Sequence, residues 1–413
     1  MAKLSLNSIR SDVFKVNANE TADCNETRAS IVGAGRLLAY EYARKGTDAL
    51  HAALRLASTT TEPKLTAMQY KELNEKFQAQ HLLYAANKVC EFTGQKAPES
   101  FDELKRNASM FFNNKHFYTV LQGIYQEIFT PILPAVYSEA VSIFADTVEV
   151  GFGETAQISI MSNDIPVFQD TAWGTQRSIP ANRFYAKDYT LNPQPKSCFV
   201  KMKWVQLVSN GWDFGRFFAN ITAGMYAKTM GMWNAAMTAA ASDTSLIPSG
   251  LKYAFSAQNW VTLANKISAV NNTAINNVFA YGGAVALAKV LPYQATGSTN
   301  VNMDAAIMTL LGADYVRAGY LGEYMAVRLM PLTDVVIPGT QNGDVSTMLP
   351  ANQIWMMAAN GRKPLTIAYN PEGGITFEID PLESGDFEIG INTTFCIDSC
   401  AIFASRVGLV TIS

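Results

Sequence analysis

Residues 211–242 read GWDFGRFFANITAGMYAKTMGMWNAAMTAAAS, a stretch in which only Asp213, Arg216 and Lys228 carry charge. Such a run could be a membrane span, a cofactor-binding helix, or a helix buried along its length against sheets and other helices. A span needs roughly 20 consecutive apolar residues. Lys228 divides this run into two uncharged intervals, 217–227 and 229–242, each short of that length, and Asn220, Thr222 and Asn234 interrupt further. The stretch is therefore read as a buried helix, with Asp213 or Asn210 as its cap.

The surrounding chain, at 413 residues, is long enough for two or three domains, or for one elongated protein with insertions. Its apolar share of 48% is ordinary, whereas charged residues, at 16%, fall below the usual quarter. Sparse charge leaves little purely solvent-facing surface, so faces of the molecule are expected to be covered, most simply by copies of the same chain. The net charge of −3 gives no overall electrostatic footprint for tight nucleic-acid binding. The opening MAKLSLNSIRSDVFKVNANE has no apolar core of signal-peptide length and no small-residue cleavage site. Without such a signal the sequons at Asn19, Asn25, Asn107, Asn220, Asn271 and Asn392 are read as chance. Five scattered cysteines suit a reducing cytoplasm rather than a disulfide frame.

Residues 1–27 are polar and aperiodic, and an extended arm is expected there. From 27 to about 145 the apolar period is helical. Helices are expected over 28–56, 67–93, 100–112 and 115–144, the last interrupted by Pro131 and Pro134, with Ser100 and Glu103 forming a capping box. At Asp146 the period drops to 2. Val148, Val150 and Phe152 alternate with Glu149 and Gly151; Ala156, Ile158 and Ile160 alternate with Gln157 and Ser159; Gly151-Phe152-Gly153 reads as a hairpin or bend between them. Residues 161–195 lack a core pattern and are too long for an ordinary loop, which suggests a protruding arm. A strand follows at 197–207, with Cys198, Val200, Met202 and Trp204 on one face and Lys201 and Lys203 on the other. Beyond the long helix, residues 250–350 alternate helices (257–270, 283–291, 303–311) with strands (277–281, 334–337). The C-terminal part of the chain is read as strands at 354–358, 365–369, 375–380, 387–392 and 395–412.

Motifs of chemistry are few. Ile31-Val32-Gly33-Ala34-Gly35 opens like a dinucleotide fingerprint, but that motif needs a buried strand upstream and a third glycine for close helix packing. CNETRAS is too polar for the strand and Leu38 stands in the glycine position, so a glycine-containing helix is expected instead. Cys396 and Cys400, in CIDSC, would lie roughly 13 Å apart on a strand, too far to bond or to share one metal ion. His51, His81 and His116 fall on separate helices without a nucleophile motif and are read as structural. The acidic run PEGGITFEIDPLESGDFE matches no EF-hand spacing. With Glu378 on an outer strand face and Glu383 and Asp386 in a turn, it reads as a solvated or intersubunit rim. No catalytic, cofactor-binding or metal-binding residue is assigned, no cofactor is implied, and the chain is read as not an enzyme.

From Asp146 onward the order of parts resembles the tailed-bacteriophage major capsid protein, the Hong Kong ninety-seven type of shell fold. DTVEVGFGETAQISI is similar to the strand entering that family's extended loop, and SNDIPVFQDTAWGTQRSIPANRFYAKDYTLNP to the loop's body. PKSCFVKMKWVQLVSNGWDFGRFFANITAGMYAKTMGMWNAAM is similar to the returning strand, tight turn and spine helix of the peripheral domain. The resemblance covers about two thirds of the chain and rests on succession rather than on any short motif. The helical block 27–145 departs from it, and would be an elaborated arm or an additional domain.

The resemblance implies an α+β fold in five parts. These are an N-terminal arm and helical region (1–145), an extended loop with flanking strands (146–200), a peripheral domain with the spine helix (201–250), an axial α/β domain (251–350), and return strands of the peripheral domain (351–413). It implies pentamers and hexamers of one chain assembling into an icosahedral shell around phage double-stranded DNA, in the virion, after assembly in the bacterial cytoplasm. Implied partners are other copies of the chain, scaffolding and portal proteins, decoration proteins, and packaged DNA touched without sequence preference; no membrane is involved. An encapsulin-like nanocompartment shell is the alternative of the same fold, and a cytoplasmic nucleotide-binding α/β enzyme the alternative of another class. The arm 161–195, with Trp173, Phe184 and Tyr185, is expected to lie over a neighbouring subunit. Some members of the family join a loop lysine to an asparagine beside a glutamate. Here Lys187, Lys196, Asn392, Glu378 and Glu388 are the only residues offered, and non-covalent contacts alone are expected.

Overall fold

The computed structural model describes residues 22–45, 65–112, 114–132, 141–143, 145–151, 153–161, 186–209, 212–244, 247–290, 319–332, 334–340, 343–359, 363–378, 388–401 and 407–412. Its elements are mixed helices and sheets, an α+β fold. Helix α1 (Ala22–Lys45) begins inside the expected arm, because nothing in ADCNETR breaks a helix once the segment behind it is packed. Helix α2 (Ala67–Thr93) is capped by a reciprocal Thr66–Gln69 box and stopped by Gly94 at φ 68°. The single helix expected over 100–112 breaks at Asn107 into α3 (Phe101–Arg106) and α4 (Ala108–Phe112). Ser100 caps α3 through the Glu103 amide, but the Glu103 carboxylate accepts from the Glu99 amide at 2.8 Å, so the box is not reciprocal. Helix α5 (Lys115–Phe129), capped by Asn114, ends just before Pro131, one of the expected interruptions; residues 133–140 lie outside the described residues, and a 3₁₀ turn occupies Val141–Ile143.

The change of period at Asp146 marks a change of architecture. Strand β1 (Ala145–Glu149) pairs with β10 (Leu365–Glu378), whereas β2 (Ala156–Met161) pairs with β3 (Ala186–Leu191). The Gly151–Gly153 step, with Gly153 at φ 78°, is therefore a bend between two sheets and not a hairpin. Strand β4 (Gln194–Lys203) is shorter than the expected strand. Its end turns into a short helix, α6 (Trp204–Val208), because Trp204 inserts among Phe112, Phe117 and Tyr118.

Helix α7 (Phe214–Ser242) is the stretch quoted first. Sixteen of its 29 residues are buried, more than one amphipathic face supplies, so it is enclosed on several sides. Helices α1 and α2 pack on it, and α1, α2 and α5 pack on one another, with α5 also lying on β10. The helical block thus shares one hydrophobic core with the long helix. Close approach is built in at two glycines: a Cβ on Gly215 would stand 2.6 Å from the Leu38 carbonyl oxygen, and one on Gly35 would stand 2.5 Å from Ile128 Cδ1.

After α7 come β5 (Lys252–Ala254), α8 (Ala257–Val270), β6 (Val278–Gly283), α9 (Ala284–Ala288), β7 (Glu323–Tyr324), β8 (Val327–Leu332) and β9 (Gln353–Ala358). The strand expected at 334–337 is a single bridge, Val336 to Thr347, and the helix expected at 303–311 lies outside the described residues. Two of the expected C-terminal strands are one. β10 runs unbroken through Asn370-Pro371-Glu372-Gly373-Gly374, where a bulge shifts its register against β11 (Glu388–Ala401). The segment expected as 395–412 divides into the end of β11 and β12 (Gly408–Thr411). The sheets have strand orders β1-β10-β11-β4 and β5-β12-β9-β6-β8-β7, plus the β2-β3 pair. The C-terminal strands therefore feed both larger sheets: β10 and β11 join the sheet beside α7, while β9 and β12 pair within the other.

Candidate functional site

The long helix starts under tight control from α2. Tyr70, Asn74 and Gln78 recur every four residues and so project from one face of α2. The Tyr70 hydroxyl donates to Asp213 Oδ1 at 2.6 Å, and the same carboxylate caps α7 by accepting from the Arg216 amide at 3.1 Å. Asn74 donates to the Trp212 carbonyl at 2.7 Å and accepts from the Phe214 amide at 3.0 Å. Gln78 donates to the Leu207 and Ser209 carbonyls at 2.7 and 2.6 Å. Backbone groups freed at the end of α6 and the start of α7 are thereby paired without water. Burial and the Asp213 carboxylate together push the Tyr70 hydroxyl well above its ordinary pKa.

One turn further, His81 is fully buried. It stacks on Phe77 at 4.6 Å and meets Phe214 edge-on at 4.8 Å. Its Nδ1 lies 2.7 Å from the Phe77 carbonyl and its Nε2 3.3 Å from the Tyr125 hydroxyl. Burial lowers its pKa to about 4, so the ring is neutral at pH 7. Arg36, also buried, donates to the Glu127 carbonyl, and Arg28 pairs with the Glu127 carboxylate. Desolvation lowers the Arg36 pKa to about 10.

Further along α7 the helix and the sheet diverge. Met202 of β4 is buried, Val200 is half-buried and Cys198 is exposed, so the face predicted for this strand opens progressively. The gap is a groove of about 1320 Å³. Its floor is formed by Lys196, Cys198 and Val200 of β4 with Thr393 and Phe395 of β11; Thr393 is paired with Cys198, and Phe395 with Lys196. The other wall is the exposed stripe Arg216, Asn220, Gly224 and Lys228 of α7, one residue per turn. Pro338 and Met348 close one side. Lys196, Arg216 and Lys228 form no ion pair among the described residues. Thr393 is 6% exposed, and its hydroxyl has no partner among the described residues. The groove suits an extended chain with apolar and anionic groups.

Among the described residues, those singled out for chemistry are not brought together. Gly33 and Gly35 lie within helix α1, and Gly35 serves contact with Phe77 and Ile128. Cys396 and Cys400 stand on one strand, opposite Asn370 and Thr366, and are not joined in a disulfide. His116 is exposed and lies 4.8 Å from the Phe92 ring, while His51 lies outside the described residues. Glu388 stands opposite Lys203 and Asn392 opposite Phe199, so Lys196 and Asn392 occupy different rungs of one sheet. Glu383, Asp386, Trp173, Phe184 and Tyr185 lie outside the described residues, as do the side chains of Lys187 and Glu378. Among the described residues no three His, Cys, Asp or Glu side chains cluster to hold a metal ion, and no helix is long and apolar enough to cross a membrane. Nothing in the sequence pattern signalled the groove.

No family model matches the chain, and no curated protein does. Among solved structures it is similar to the capsid of the cyanophage P-SCSP1u, at 10% identity and a TM-score of 0.39, covering 65% of this chain and 86% of that one. It is similar to the mature capsid of bacteriophage PhiM1 at 9% identity and a TM-score of 0.39, covering 65% and 85%. A chain from Mycobacterium phage Che8 matches at 15% identity and a TM-score of 0.36, covering 63% and 85%. Its structural neighbours include phage capsids.

Proposed function

We propose that this chain is a structural protein that assembles with copies of itself into a closed shell, the major capsid protein of a tailed phage. The observation that carries the reading is the succession of elements. A sheet strand leads through a bend into the β2–β3 pair. β3 returns into edge strand β4, which turns at once into a short helix and then a 29-residue buried one. An α/β unit follows, and β10 and β11 come back onto the sheet beside that helix. This is the order that the sequence resemblance rests on.

Two physical features support it. A two-stranded ribbon is marginal in water by itself. Among the described residues, β2 and β3 bury a small satellite cluster, Val150, Ala156, Ile158, Leu191 and Ala368, at their base. The segment 162–185 that joins them carries Trp173, Phe184 and Tyr185, which a neighbouring subunit would cover. The low content of charge fits a molecule whose faces are shared with copies. Pentamers and hexamers, confinement of double-stranded DNA without sequence readout, and contact with scaffolding and portal proteins belong to the same proposal. So does the division at 145, 200, 250 and 350 into helical region, loop, peripheral, axial and return segments.

Sedimentation of the purified full chain tests it. Large, uniform particles are expected, with hollow shells in negative stain. A monomer or dimer at every concentration would refute the proposal.

A further inference from the structure

We propose that the groove between α7 and β4 receives the acidic segment 378–388 of a second copy of the chain. This deepens the self-assembly reading and rests on it. The groove supplies three cations, Lys196, Arg216 and Lys228, against the single carboxylate of Asp213, which already caps α7 and accepts from Tyr70. Its floor is apolar at Val200 and Phe395, and the buried Thr393 hydroxyl on that floor has no partner among the described residues. The occupant must therefore offer anions, apolar side chains and backbone polar groups together.

The segment EIDPLESGDFE does so. It has five carboxylates and no basic residue, interleaved with Ile379, Leu382 and Phe387. A nucleic-acid backbone would satisfy the cations but would leave the apolar floor without a complement.

A second copy is favoured by the topology. The segment leaves the sheet from the end of β10 and the start of β11, where Glu388 stands opposite Lys203. Tethered at both ends, the nine residues 379–387 can turn back about 15 Å at most, whereas Thr393 lies five positions along β11 and Lys196 seven along β4, about 17 and about 23 Å away. A copy that gives its segment to one neighbour and receives the segment of another makes a head-to-tail interface, which closes into a ring when the rotation allows.

The test mixes ¹⁴N- and ¹⁵N-labelled full-length protein, lets it associate, applies a zero-length carbodiimide and maps the cross-links by mass spectrometry. Mixed-isotope links from Lys228 or Lys196 to Asp380, Glu383 or Asp386 are expected. Arg216→Ala keeps both reactive amines and an exposed site on the helix, and should lower the yield of those links roughly ten-fold. Mixed-isotope links elsewhere with none at the groove would overturn this inference and leave self-assembly standing. No mixed-isotope links at all would overturn both. Groove links within one isotope only would also overturn it. So would an Arg216→Ala variant that loses bound nucleic acid while its groove links persist, which would assign the cations to phosphates.

Discussion

Acid should weaken this protein through one imidazole. His81 is enclosed by Phe77, Phe214 and Tyr125 and has its pKa lowered to about 4, against about 6.5 in an unfolded chain. Because the folded-state value is the lower one, the unfolded chain binds more protons between those limits. Stability is therefore intact above pH 6.5 and falls as pH drops toward 4. That gap, about 2.5 on the pH scale at about 1.4 kcal/mol for each step of one, gives a full loss of about 3 kcal/mol, of which about 2 is reached by pH 5. Urea unfolding followed by tryptophan fluorescence from pH 7.5 to 4.5 reads this directly. The control is His81→Phe combined with Tyr125→Phe, which removes both partners of the buried hydrogen bond and keeps the aromatic volume. The wild-type chain should lose about 2 kcal/mol more than the double variant between pH 7.5 and 5. Equal losses would refute the account and place the acid sensitivity in carboxylates elsewhere.

Three glycines should separate by what surrounds them. Gly215→Ala drives a methyl group against the Leu38 backbone and should cost about 3 kcal/mol in thermal or urea unfolding, while Gly35→Ala meets side chains only, the end of Ile128 and the edge of the Phe77 ring, and should cost less, about 1–2 kcal/mol. Gly224→Ala, with nothing within 4 Å, should stabilise the isolated chain by about 1 kcal/mol through helix propensity. Particles boiled in detergent should run as a single band near 45.1 kDa, and a ladder of covalent oligomers would contradict the non-covalent shell.

What could be read from the sequence was local. Ala67–Thr93 and Ala257–Val270 coincide with their expected bounds, and Asp213 is the cap of the long helix, because periodicity and capping residues act within a few positions. The errors lie where distant contacts decide. Trp204 leaves its strand to join an aromatic cluster drawn from α4 and α5. Asn370–Gly374 has every mark of a turn, but β11 holds it in the ladder as a bulge. The α2 ladder onto the start of α7 joins side chains more than 100 positions from their partners, and the groove exists only because a helix and a sheet part company. Neither has a local signature.

The sharing of strands between the two large sheets has a consequence for the order of events during synthesis. Strand β12 lies between β5 and β9, so β5 has no sheet neighbour until residues 408–411 have been made. Likewise β4 and β1 must wait for β10 and β11, which come far later in the chain. Most long-range contacts are therefore paid for in loop entropy before they form. Neither sheet is complete until its last strand, β11 or β12, has been made, so a growing chain presents finished sheet faces for association only after those strands have folded in.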